Sequence, residues 1–228
     1  MKKLLTIILF HAFFFTNAQN LVPNYSFEDT LQCISGPEQF GGYVMDWTGG
    51  APEYFTSHCN EPGDSVPLNW WGYQYPHTGY AYAGIYTYVS DSCSSCPKAN
   101  ENLRDYIQDK LVDSLKVGVK YFTTFYVCPA DTSWYYCNNI GAYFSDSSLR
   151  YASNFQYVKS YLTPQVQNDP IKNPLTLART WIKVSGSFVA SGSEKYIVIG
   201  NFKNDSTSSI VYKGKVSTTE PDAFYCIP

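Results

Sequence analysis

Residues 79–89 read GYAYAGIYTYV. Tyr80, Tyr82, Gly84, Tyr86 and Tyr88 recur at a period of two and so share one face of a β-strand, while Ala81, Ala83 and Ile85 fall on the other. Similar runs follow in the chain. Residues 119–127 (VKYFTTFYV) are rich in β-branched and aromatic side chains and read as a strand. Residues 181–190 (WIKVSGSFVA) and 194–202 (EKYIVIGNF) flank Ser191, Gly192 and Ser193, a pattern that predicts a hairpin with glycine at its turn. Residues 140–145 and 224–227 are shorter strand candidates. Short strands between turn residues predict an all-β sandwich or barrel.

Composition agrees. The 228 residues include 21 Tyr but only 2 Met, and 15% are charged, too few for a coiled coil or a disordered tail. Sixteen basic against nineteen acidic residues leave a net charge of −3, which disfavours nucleic acid and anionic membrane as main partners. No linker, repeat or low-complexity tract divides the chain, so one domain is expected.

Lys2 and Lys3 precede an apolar run from Leu4 to Phe15, and Thr16, Asn17 and Ala18 supply small residues after it. This is the build of a secretory signal, expected over residues 1–18, with residues 19–228 as the mature domain. Loss of Lys2 and Lys3 takes the net charge from −3 to −5. No later segment is long and apolar enough to span a bilayer as a helix. The expected location is extracellular, at the cell surface or in a periplasm.

Seven cysteines in an exported chain predict disulfides, with at least one thiol left over. Cys33–Cys59 and Cys128–Cys137 are the expected bridges, worth about 3.5 and about 2.7 kcal/mol in chain entropy. Cys226 is then the odd residue. Cys93 and Cys96 form a CxxC within a Ser-rich stretch and read as a loop staple or as separately bridged thiols. Only His58 and His77 survive removal of the signal, which argues against a zinc site built on Cys and His.

One segment admits two readings. In residues 101–112 (ENLRDYIQDKLV), Leu103, Ile107 and Leu111 stand at helical spacing, whereas Tyr106 and Ile107 suit a strand.

Residues 20–28 (NLVPNYSFE) resemble the NLVPNPSFE opening of a module found near the N-terminus of secreted and surface proteins of Bacteroidota-type bacteria. Trp47, residues 52–55 (PEYF) with Cys59, residues 66–69 (VPLN), residues 72–74 (GYQ) and residues 79–84 (GYAYAG) follow in the family's order. So do residues 115–125, 140–145, 164–166, 181–188 and 199–202. The resemblance implies a two-sheet antiparallel jelly-roll sandwich, similar to carbohydrate-binding modules and galactose-binding-like domains, with no intrinsic catalysis. It also turns residues 101–112 toward a strand. Such modules sit in front of gliding-associated or OmpA-like domains. The family's acidic last segment is missing after Ile227, so the domain reads as cut short in its last strand or as a short relative. In related jelly rolls an N-terminal Glu and a C-terminal Asp share a structural Ca²⁺. Glu28 matches the first position, and the second is absent.

Catalytic patterns are lacking. His58 and His77 lie in apparent loops without a nucleophile elbow, and nothing pairs Asp46, Glu53, Glu61, Asp64 or Asp131 as glycosidase acids. Aromatic clusters stand out instead: residues 70–75 (WWGYQY) and 134–136 (WYY). Trp70, Trp71, Tyr73, Gln74, Trp134 and Tyr135 are the candidate ligand-binding residues, rings to stack on pyranose faces and an amide to bond hydroxyls. Trp70 and Trp71 point opposite ways on a strand, so one of them belongs to the core. The expectation is a non-catalytic module that binds a glycan or polysaccharide. The alternative is an adhesion or assembly module that binds an envelope protein.

Overall fold

The computed structural model describes residues 19–59, 61–90, 102–149, 159–215 and 222–228. The expected signal (1–18) and the Cys93–Cys96 pair lie outside these residues.

Two antiparallel sheets of five strands form the fold. The first joins β1 (Thr48–Gly49), β6 (Ile107–Lys110), β12 (Tyr196–Gly200), β9 (Gly141–Ser145) and β10 (Val166–Gln167) in that order. The second joins β11 (Ile182–Val189), β7 (Lys120–Pro129), β14 (Ala223–Ile227), β5 (Ala81–Tyr88) and β2 (Glu53–Thr56). From β5 onward the chain passes back and forth between the sheets, and the last strand, β14, lies beside β5. This is jelly-roll connectivity. Two small ribbons complete the structure: β3 (Leu68–Asn69) with β4 (Gly72–Tyr73), and β8 (Tyr135–Cys137) with β13 (Ile210–Tyr212).

The alternation in residues 79–89 is what builds the core. Ala81, Ala83 and Ile85 meet Phe125, Val127, Val184, Tyr225 and Ile227 of the same sheet and Ile107, Phe144, Ile197 and Ile199 of the facing one. The opposite face of the second sheet is buried too. There Tyr82, Phe55, Cys128, Phe224 and Cys226 close around Trp71, which comes from the loop between β2 and β5. At the end of β5 the register shifts between Ala223 and Phe224, and Tyr88 packs against the inter-sheet core instead of following Tyr82 and Tyr86.

Residues 101–112 supply the strand β6, which pairs with both β1 and β12. The expected hairpin at residues 181–202 is corrected. β11 pairs with β7 and β12 pairs with β6 and β9, so residues 190–195 arch from one sheet to the other. Glu194 makes the arch possible: its carboxylate accepts from the N–H groups of Ser191, Gly192 and Ser193 at 2.8–3.1 Å. Gly192, at φ +96°, takes the left-handed turn there.

Of the two expected disulfides, Cys33–Cys59 is present. Cys128–Cys137 is not; both are buried thiols, as is Cys226. Cys128 points to the outer face of the second sheet, while Cys137 sits in the core between the sheets, so the two thiols belong to different layers.

Candidate functional site

The loop carrying residues 65–79 folds over the outer face of the second sheet, and its local chemistry decides which ring goes where. Asn69 Oδ1 accepts from the Trp71 N–H at 2.9 Å, and Asn69 Nδ2 donates to the Tyr82 hydroxyl at 2.6 Å. This drives Trp71 inward, where its indole stacks on Phe224. Trp70 then points outward and is 70% exposed. Its indole lies over Gly63, where a Cβ would come within 1.9 Å of the ring nitrogen.

Gly72 follows at φ +117°, and a Cβ there would strike Asp131. That close approach lets Asp131 Oδ1 accept from the Tyr73 N–H at 3.2 Å. The other oxygen of Asp131 accepts from Arg179 Nε at 2.7 Å, and the Arg179 guanidinium lies 5.7 Å from the centre of the Tyr73 ring. The Tyr73 hydroxyl donates to that of Tyr75 at 3.1 Å, with the rings perpendicular and 5.5 Å apart. This hydrogen bond raises the Tyr73 phenol above its ordinary pKa. Lys213 Nζ donates to the Asp131 carbonyl at 2.6 Å, and the Lys213 N–H bonds the carbonyl of Trp134. Asp131 thus joins the two aromatic clusters that the sequence holds apart.

The rings continue beyond Tyr75. Trp181 Nε1 donates to the Tyr75 carbonyl at 3.0 Å, and His77 stacks on Tyr126 at 3.9 Å and lies nearly perpendicular to the Trp181 ring. Tyr73, Tyr75, Trp181, His77 and Tyr126 form a strip across the outer side of β7 and the start of β11.

The six expected ligand-binding residues therefore divide. Trp70, Tyr73 and the neighbouring Tyr75 face solvent. Trp71 is corrected to the core, as is Gln74, whose amide accepts from the Cys128 thiol at 3.0 Å and donates to the Tyr75 carbonyl. Trp134 is half-buried beneath Lys215, whose ammonium is 4.8 Å from the ring centre. Tyr135 packs between Tyr88 and Tyr212 in the small ribbon. Arg179, Trp181 and Tyr126 also belong to the site, and no motif in the sequence marks them as binding residues.

No family model and no curated protein matches this chain. Among solved structures it is similar to three adhesin domains. The K2 cleaved adhesin domain of Lys-gingipain has a TM-score of 0.42 and 10% identity, covering 89% of this chain and 92% of that one. The K1 domain from Porphyromonas gingivalis W83 has a TM-score of 0.39 and 12% identity over 85% and 93% of the two chains. The K3 domain from the same strain has a TM-score of 0.37 and 14% identity over 80% and 89%.

Two further places hold chemistry of interest. Glu28 Oε1 accepts from the Tyr80 N–H at 2.9 Å, and Oε2 is buried with no hydrogen-bond partner. Among the described residues no group of three or more His, Cys, Asp or Glu side chains surrounds it or any other point, whereas Ca²⁺ takes six to eight oxygens. Among the described residues, then, acidic, His and Cys side chains alone do not assemble the Ca²⁺ site expected from the resemblance. A cavity of about 350 Å³ opens beside Tyr25 and Phe122. Its lining includes Leu111, Phe125, Phe144 and Ile199, side chains of the inter-sheet core.

Proposed function

We propose that this chain is an exported, non-catalytic binding module that holds a glycan on the strip led by Tyr73 and Tyr75. The observation that carries the reading is the perpendicular, solvent-facing pair of tyrosine rings fixed above the Asp131–Arg179 ion pair. Tyr73 and Tyr75 are 39% and 61% exposed, yet their backbone is pinned on three sides by Asp131, Gln74 and Trp181. Exposed rings on a pre-ordered backbone lose little entropy on binding. Their faces suit the C–H faces of pyranose rings. The Arg179 donors left over from Asp131 and the tyrosine hydroxyls supply hydrogen bonds to sugar hydroxyls. Export accords with the Cys33–Cys59 bridge, since such bonds persist in oxidising compartments. Among the described residues no helix is long and apolar enough to cross a membrane.

The test is a binding screen of residues 19–228 against soluble glycans and insoluble polysaccharides, with Tyr73→Ala and Tyr75→Ala alongside. Binding competed by free sugar, and lost in both variants at an unchanged melting temperature, is the expected result. Failure of folded wild type to bind any glycan, together with sugar-independent capture of an envelope protein, would replace this reading with the adhesion or assembly role.

A further inference from the structure

Cys128 and Cys226 occupy directly opposed positions on the neighbouring strands β7 and β14. Directly opposed residues of an antiparallel pair project to the same side of the sheet. Both thiols are buried in the outer-face cluster with Trp71 and Phe224. The ladder type follows from its neighbour: the Ala130 N–H donates to the Phe224 carbonyl at 2.9 Å, two residues along each strand. Pairs two apart are of one kind, so Cys128 and Cys226 form a hydrogen-bonded pair, for which Cα atoms stand about 5.5 Å apart. Disulfides most often span about 5.5–6 Å between Cα atoms, which this pair matches, and about 3.5–4.5 Å between Cβ atoms, so closure draws the two Cβ atoms together from the wider spacing of a hydrogen-bonded pair. Cys137 has no such geometry. It lies between the sheets, with its sulfur 3.3 Å from Asn201 Nδ2.

We propose that Cys128 and Cys226 close a second, cross-strand disulfide in the oxidised protein, joining β14 covalently to β7. Three observations bear on it. The chain already holds one disulfide, Cys33–Cys59, so its environment supplies disulfide oxidants. The sulfurs have no charged partner that would favour a resident thiolate: Cys128 bonds the neutral Gln74 amide, and Cys226 faces the Tyr82 hydroxyl. Linking these two also leaves the core residue Cys137 as the unpaired thiol among the described residues.

The chemistry balances as thiol–disulfide exchange. One cysteine thiolate attacks a small disulfide such as oxidised glutathione, forming a mixed disulfide and releasing one thiol. The second cysteine thiolate then displaces the other half. The two cysteines lose two protons and two electrons, and the incoming disulfide is reduced to two thiols. Once the sheet is closed, burial pushes the Cys128 thiol up to about 12 and the Cys226 thiol well above its ordinary value. Since the thiolate is the attacking species, the bond forms as β14 docks, before the outer face is sealed.

The test is disulfide mapping of the full chain, exported to an oxidising compartment, purified without reductant and alkylated only after unfolding. A Cys128 peptide joined to a Cys226 peptide, about 2 Da lighter than the two thiol forms together, is the expected result. The proposal is overturned if both residues carry the alkyl label while Cys33 and Cys59 remain linked, or if Cys128 is joined to Cys137, Cys93 or Cys96. Cys226→Ser supplies a second measurement. Cys128 should become fully alkylated in the unfolded variant with Cys33–Cys59 unchanged, and continued protection of Cys128 would assign it another partner. Wild-type protein folded under reductant and then given oxidised glutathione should close the bond far more slowly than protein refolded in it; equal rates would overturn closure ahead of the sealing of the outer face.

Discussion

The indole of Trp71 lies flat on the ring of Phe224, with centroids 4.0 Å apart and planes inclined by 5°. One residue away in sequence, Trp70 stands in solvent. The pair supplies an internal control for the aromatic loop. Trp71→Ala should cost about 3–5 kcal/mol, the range for a large aromatic removed from a core, whereas Trp70→Ala should cost under about 1 kcal/mol. Urea midpoints of the two variants, measured side by side, check this. Equal losses would mean that Trp70 is as much a packing residue as its neighbour.

Two ion pairs invite a similar contrast. Arg104 is fully buried and pairs with Asp205, while also donating to the carbonyls of Leu103 and Lys203. Removing one member of a buried pair strands the other, so Asp205→Ala should lower stability by about 3–5 kcal/mol. Arg179→Ala, at the exposed end of the pair with Asp131, should lower it by less than about 1 kcal/mol and act on ligand affinity instead. Denaturant titration reads the first effect, and the glycan screen the second.

Several buried carboxyls set the pH response. Burial, opposed by the Glu38 N–H and reinforced by the charge of Asp64, raises Glu53 to about 7. Burial likewise raises Asp105 and Asp109 to about 7. In the unfolded chain these groups titrate near 4, so between about pH 4 and pH 7 the folded protein holds protons that the unfolded chain has released. Their contribution is complete below pH 4 and is lost as pH rises through 7. Glu194 runs the other way. Its burial raises the carboxyl, but the bonds it accepts at the arch outweigh this and hold it at about 2, so its contribution disappears only as pH falls toward that value. The urea midpoint should be higher at pH 5 than at pH 8, and Asp105→Asn should shrink the difference. A midpoint that rises from pH 5 to pH 8 would contradict the assignment.

The Cys33–Cys59 bridge closes a loop with a sequence separation of 26 residues. Chain entropy makes such a closure worth about 3.5 kcal/mol. The double variant Cys33→Ser with Cys59→Ser should lose about that much, read as a lower denaturation midpoint at an unchanged circular dichroism spectrum.

Much of the fold was legible because alternation is a local property. Residues 79–89 announced their two faces, and residues 119–127 and 224–227 became strands where expected. Pairing was less legible. Residues 181–202 have the composition of a hairpin, and only the sheet register reveals that the chain crosses between sheets at the arch that Glu194 caps. The same limit applies to the site. Strand geometry predicts that Trp70 and Trp71 face opposite ways; the structure places both in the turn between β3 and β4, where which one is core depends on Asn69 and on how the loop lies over Tyr82. Asp131 and Arg179 are 48 residues apart in sequence. No spacing rule brings them together under Tyr73. Cys128 lies opposite Cys226 instead of Cys137 for the same reason: a short loop is the simpler guess, and the sheet register decides otherwise.

The outer face of the second sheet is sealed by a loop whose inward residues, Trp71 and Gln74, hold it down and whose outward residues, Trp70, Tyr73 and Tyr75, face solvent. Framework and display are thus encoded in separate positions. Residues 70, 73, 75 and 179 can be exchanged by drift or by deliberate randomisation with the sandwich left intact, much as an antibody alters its loops on a constant scaffold. A lineage built on this chain could change the side chains it displays many times over before it had to change how it folds.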